Sequence, residues 1–136
     1  MDEKVLVLDI DGTLTNSRKE EIISACRKLY ETMSYREITI KEIAEETSFS
    51  RPSIYNYFET KEEIFLALFG KEYELFTEDL DMLCAEEERL SLDELASALA
   101  HALEKRILLL KLLSMNLYDM EANSRMERLV EFKAAY

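Results

Sequence analysis

Apolar residues recur every three or four positions along most of this chain, and four of these stretches open on a hydroxyl residue followed three positions later by Glu. In that pattern the hydroxyl caps a helix and the Glu reaches back to the amide of the cap. It occurs at Ser17–Glu20, Thr39–Glu42, Thr60–Glu63 and Ser91–Glu94. After Ser17, the positions Ile22, Cys26, Leu29, Tyr30 and Met33 fall on one face of a 3.6-residue period, which predicts a helix over 18–33. After Thr39, Ile40, Ile43 and Ala44 share one side of a helix of about two turns, which the polar pair Thr47 and Ser48 ends. Ser50 caps a third short helix with Pro52 in its first turn, where a missing amide proton costs nothing, followed by Ile54, Tyr55 and Phe58. Beyond Thr60, Ile64, Phe65, Leu68, Phe69, Tyr73, Phe76, Leu80 and Leu83 keep helical spacing for about six turns. The acidic run Glu86–Glu88 reads as a solvated break. Ser91 then opens a helix with Leu92, Leu95, Ala96, Leu99 and Leu103 inward. Residues 107–117 are apolar nearly all round, as in a helix surrounded by others, and Met126, Leu129, Val130 and Phe132 mark a last amphipathic stretch. Met82 and Met115 are read with these stripes as core.

Composition agrees with an all-α chain. The 136 residues contain 2 Gly and 1 Pro, too few for a turn-rich β fold, while 48% apolar and 34% charged residues exclude a disordered chain. The longest apolar stretch, Ile107 to Leu113, is interrupted by Lys111 and falls short of the ~20 residues a bilayer span needs. The N-terminus lacks the basic flank and length of a secretory signal, so the expected location is cytoplasmic. Cys26 and Cys84 form no CxxC pair and His101 is the sole histidine, read as a helix-surface or core residue. No metal site and no cofactor is expected.

A net charge of −12 argues at first against a nucleic-acid partner. Its distribution alters that. Residues 1–17 carry one Lys against four acids and residues 62–136 carry eight basic against seventeen acidic side chains, whereas 18–61 carry eight of each sign. Charge close to a phosphate governs counterion release, so an acidic body can still bring a neutral face to DNA.

Two short helices joined by a tight turn, steadied by a preceding helix and followed by a long one, are the parts of a helix-turn-helix whose second helix enters the major groove. On that second helix Arg51, Ser53, Asn56 and Tyr57 offer hydrogen bonds, and Tyr55, Tyr57 and Phe58 crowd a segment too short to bury them all. The stretch Glu20 to Leu68, above all "TIKEIA" (Thr39–Ala44), the preceding "SRP" (Ser50–Pro52) and "SIYNYFETKEEI" (Ser53–Ile64), resembles the DNA-binding domain of the TetR family of transcriptional regulators. The resemblance implies that Thr39 and Lys41 contact DNA from the second helix, that Arg51, Pro52, Ser53, Tyr55 and Tyr57 line the major groove, that Asn56 varies operator choice and that Lys61 holds a phosphate. Ser34 and Ser48 stand where the family often has Gly, which implies turns reached at some conformational cost. It further implies a ligand-responsive repressor rather than an enzyme. A double-stranded DNA operator, an unidentified small-molecule effector and a second copy in a homodimer are its implied partners. The expected division is an extension over 1–17, a DNA-binding domain over 18–62 and a helical regulatory and dimerisation domain over 63–136. Family members usually continue well past this length, so the last domain is expected to be incomplete.

Residues 5–15, "VLVLDIDGTLT", give a different signal: four β-forming residues, then two carboxylates two positions apart. They resemble motif I of haloacid dehalogenase-like phosphohydrolases, in which Asp9 would attack phosphorus and Asp11 would protonate the leaving group beside Mg²⁺. The partner strands that chemistry needs are missing from the helical pattern that follows, so Val5 to Leu8 is expected as an extension, disordered or packed on a neighbour. A helical interaction module without DNA binding is the third reading.

Overall fold

The fold is that of a computed structural model, which describes the backbone of residues 3–86, 89–114 and 122–135, with side chains described from Asn16 onward except Glu86 and Ala135. Among the described residues there are seven helices and no strand: α1 (Glu3–Thr32), α2 (Ile40–Glu45), α3 (Arg51–Ile54), α4 (Lys61–Glu86), α5 (Leu92–Glu104), α6 (Ile107–Leu113) and α7 (Met126–Ala135). The all-α expectation holds. One boundary does not, because α1 runs through Ser17 rather than starting there. No proline interrupts residues 3–16, and the single Gly12 costs a helix only about 1 kcal/mol, so Ser17-x-x-Glu20 lies inside the helix instead of capping it. The same continuity removes the frame for the phosphohydrolase motif: the backbone from Val5 to Thr13 is helical, with no strand to present Asp9 and Asp11 at its end.

The other three hydroxyl starts each lie at a helix N-terminus. Thr39 is extended and its N–H donates to the Glu42 carboxylate at 3.0 Å. The Thr60 hydroxyl accepts from Glu63 N–H at 3.3 Å and that of Ser91 from Glu94 N–H at 3.1 Å. Glu63 reaches back one residue further than the motif predicts, to the N–H of Glu59 at 2.9 Å. Neither Ser34 nor Ser48 adopts the left-handed conformation that would favour glycine, and so the expected cost is absent. The Ser34 N–H instead donates to Glu37, and the N–H and hydroxyl of Ser48 both donate to Glu21 on α1.

The core forms where α1, α2, α3 and the first half of α4 meet. Ile22, Cys26 and Tyr30 of α1, Ile43 of α2, Ile54 of α3 and the run Ile64, Phe65, Leu66, Leu68 and Phe69 of α4 are buried together. Phe65 packs edge-on against both Tyr30 and Tyr35, at 5.2 and 4.9 Å between ring centres. Phe69 does the same to Phe132 of α7 at 5.2 Å, so one helix carries both ends of the core. Apolar surroundings push the thiol of Cys26 well above its ordinary pKa, so it is an inert packing residue.

Outside this core the predicted inward faces are only half covered. Leu92 is 82% exposed and Leu95 and Ala96 also face outward, while Ala102 is the buried residue of α5. On α6, Leu108, Leu109 and Leu112 are buried but Ile107, Leu110 and Leu113 are exposed, so this helix is not surrounded. Met82, Met126 and Val130 are exposed too; Met115 lies outside the described residues. Periodicity identifies an apolar face, but the number of neighbours available to cover it is a tertiary property.

Lys111 of α6 ties this half to the first. Its ammonium donates to the carbonyls of Tyr30 and Met33 at the C-terminus of α1 and lies 3.9 Å from the centre of the Tyr30 ring. The last turn of α1 has no basic residue of its own, so Lys111 supplies the cation that a helix C-terminus favours. Lys111→Met keeps the stem and removes the donor; we expect a loss of about 2 kcal/mol in urea denaturation, and an unchanged midpoint would show that water serves those carbonyls equally well.

Candidate nucleic-acid interface

Helix α3 is one turn long, shorter than the apolar spacing suggests. Ser50 precedes it in an extended conformation, Pro52 occupies its first turn, and its fall into 3₁₀-type bonds (Asn56 N–H to Ser53, Tyr57 N–H to Ile54) turns the chain through Tyr55–Tyr57. Ile54 and Phe58 face the core and hold this segment against the domain. The opposite side is left to solvent: Arg51, Pro52, Asn56 and Tyr55 are exposed, the last by 46%.

An open cleft of about 500 Å³ between α2, α3 and the start of α4 collects Thr39, Lys41, Arg51, Tyr55 and Lys61 on its walls. Pro52, Ser53, Asn56 and Tyr57 do not line it. Ser53 is half-buried with its hydroxyl 3.0 Å from that of Ser50, and the Tyr57 hydroxyl accepts a long bond, 3.4 Å, from Arg18 on α1. Thr39 is exposed but its side chain is engaged with Glu42, whose carboxyl that bond holds below the usual range. Lys41 is exposed and approaches Glu45 only at 4.0 Å, a surface pair that leaves it available.

Two carboxylates share the cleft with these cations. Glu62 accepts from the Tyr35 hydroxyl at 2.8 Å, and Glu59 pairs with Arg125 at 3.6 Å. Lys61 is half-buried and more constrained than a phosphate anchor needs to be. Its ammonium donates to the carbonyls of Tyr35 and Ile38 at 2.9 and 3.0 Å and sits 4.1 Å from the Tyr35 ring centre. Two of its three protons thus serve the turn between α1 and α2, leaving one.

Three cations that the sequence reading passed over also belong to this region. Arg18 lies against the Phe49 ring as well as the Tyr57 hydroxyl, and Arg125 and Arg128, far along the chain, reach the end of α3 from α7. The only signal for the last pair was their i, i+3 spacing. Arg125 grips Glu63, a fully buried carboxylate, through its backbone N–H at 2.7 Å and its guanidinium at 3.0 Å. Burial by itself raises the Glu63 pKa, but the bonds from Arg125 and from the Glu59 N–H outweigh it, and the group titrates below the ordinary carboxylate value.

A second cleft, of about 590 Å³, lies between α4 and α5. Met82, Leu83, Leu90 and Ala98 give it an apolar wall, with Asp79, Glu94, His101 and Lys105 at its polar edge. Asp79 is held by a two-pronged bond from Arg106 at 2.8 and 3.1 Å, which lowers its pKa.

Comparison with known proteins agrees with this geometry. Residues 22–68 match the model for bacterial regulatory proteins of the tetR family, and residues 70–136 match the tetracyclin repressor-like C-terminal domain. The HTH-type transcriptional regulator HbdR of Aromatoleum sp. (strain CIB) is 40% identical over 67 residues, 48% of this chain and 29% of that protein. The chain thus spans under a third of that relative's length.

Because Glu63 is favoured as the anion in the folded chain, the stability it contributes is complete above the ordinary carboxylate pKa and disappears as pH falls through its lowered one. Glu63→Gln should therefore flatten the acid side of the stability profile while costing stability at neutral pH. Thermal melts from pH 3 to 7 that keep the same acid slope in both proteins would refute this.

Proposed function

This chain belongs to the TetR family of bacterial regulatory proteins, and we propose that it reads a specific DNA operator through α3 as a ligand-responsive repressor. The observation that carries the proposal is the short α3, pinned by Ile54 and Phe58 on one side and presenting Arg51, Tyr55 and Asn56 to solvent on the other. In it Arg51, Pro52, Ser53, Tyr55 and Tyr57 form the major-groove face and Asn56 tunes the choice of sequence. Thr39 and Lys41 approach from α2, and the remaining proton of Lys61 meets a phosphate. Residues 18–62 act as the DNA-reading unit, 1–17 precede it, and 63–136 are regulatory.

Two copies acting together place their α3 helices about 34 Å apart, the spacing of successive major grooves. The α4–α5 cleft is the natural seat for a small effector, since its volume falls in the range typical of ligand pockets. An effector favouring a different separation of the two α3 helices would oppose the operator through reciprocal linkage of roughly 1–3 kcal/mol. The setting we assign is the cytoplasm, where the operator is; no described helix is long and apolar enough to cross a membrane.

Selection of random duplexes on the purified protein at two salt concentrations tests this. The expected result is a palindrome whose affinity falls steeply with salt and which Tyr55→Ala does not select. If the wild-type protein enriches no sequence, the operator-reading function fails.

A further inference from the structure

The turn that ends α3 carries a carbonyl with two cationic partners. Tyr57 O accepts from the guanidinium of Arg125 at 3.2 Å and from that of Arg128 at 2.5 Å. Both arginines come from the other end of the chain, nearly seventy residues away in sequence. The attachment is broader than one bond. Arg128 lies over the Phe58 ring, 5.1 Å from its centre, and the Thr60 hydroxyl donates to the carbonyl of Asn123 at 2.9 Å. Arg125 also holds Glu63, fully buried one turn into α4. Tyr57, Phe58, Glu59 and Thr60, which lead into α4, are thus each held by Asn123, Arg125 or Arg128.

A helix of four residues has little cooperativity of its own, and its terminal carbonyls have no partner within it. With Ile54 and Phe58 anchoring one side in the core, its direction depends further on what holds its ends. The N-terminal end is fixed through Ser48, bonded to Glu21 of α1. The C-terminal end is fixed by α7. We propose that Arg125 and Arg128 are positioning residues for DNA reading: by holding the Tyr57 carbonyl they set the angle at which α3 meets the groove, and they make that angle depend on where α7 lies. The inference rests on α3 being the DNA-reading helix. It assigns to α7 a direct grip on that helix, separate from any path through the α4–α5 cleft.

Arg128 is the cleaner residue to test, because its carboxylate partner, Glu131, is exposed, whereas removing Arg125 leaves Glu63 buried without its cation. The measurement is hydrogen exchange in the full chain across residues 51–60, with residues 64–69 of the buried core as internal reference, and affinity for the selected duplex. Arg128→Ala should speed exchange across 51–60 by about tenfold over the change at 64–69 and weaken the duplex by a similar factor. Arg128→Lys, which keeps one donor, should recover part of both, and Glu131→Gln should change neither. The double variant Arg125→Met with Glu63→Gln, which removes the buried charge along with its partner, should behave as Arg128→Ala does. Unchanged exchange across 51–60 in Arg128→Ala, or an equal rise across 64–69, overturns the proposal, the latter by showing a general structural role. A wild-type chain that selects no duplex overturns the operator-reading function instead, and exchange across 51–60 then decides the grip of α7 by itself.

Discussion

A helix that ends without a left-handed residue leaves its last carbonyls for other groups to answer, and this chain ends its helices that way. It has two glycines, at positions 12 and 70 inside α1 and α4, and none of its described residues has a positive φ. The glycine caps that close many helices are therefore not in use. Cations from distant elements serve carbonyls at and after the helix ends: Lys111 of α6 at the end of α1, Lys61 of α4 at the turn that follows, and Arg125, which precedes α7, with Arg128 of α7 at Tyr57 beyond α3. Local groups answer other terminal carbonyls: the Thr47 hydroxyl donates to Ala44 at the end of α2, the Ser114 hydroxyl to Lys111 at the end of α6, and the N–H groups of Tyr57 and Phe58 to Ile54 at the end of α3. Each such cation is also a tie between elements, so the requirement to satisfy backbone carbonyls holds the helix-turn-helix half to the rest.

The ties converge on α4. Its residues from Glu63 through Phe69 are buried except for the half-buried Ala67, and it packs against both α1 and α7. A carboxylate at full burial in such a place is tolerable only with its cation in position. Glu63 meets that condition through Arg125, and Glu72, buried further along, faces Arg27 of α1 at 3.2 Å. Exposed pairs such as Lys71 with Glu20 add little by comparison.

The net charge of −12 is unevenly distributed, since residues 18–61 carry eight basic and eight acidic side chains. Around the α3 cleft, Glu42 and Glu62 are hydrogen-bonded to Thr39 and Tyr35 and Glu59 is paired with Arg125, while Lys41 and Arg51 are exposed beside them. The balance of this segment therefore differs from that of the whole chain, and the field at a surface is governed by the charges within about one Debye length of it.

The sequence by itself determined the helical class, the starts of α2, α4 and α5, the inward residues of the first core and the helix-turn-helix, because these depend on period, capping chemistry and neighbours a few positions away. It misplaced the start of α1, since a capping pattern is also compatible with the middle of a helix when nothing upstream breaks it. Tertiary structure decided the rest. Half of the apolar face of α6 stays exposed because no described element covers it, and Lys61 gives two of its protons to carbonyls more than twenty residues earlier. Arg125 and Arg128 reach α3 only because α7 folds back on α4. Such partners are brought together by packing between elements far apart in the chain, and no local pattern encodes that distance.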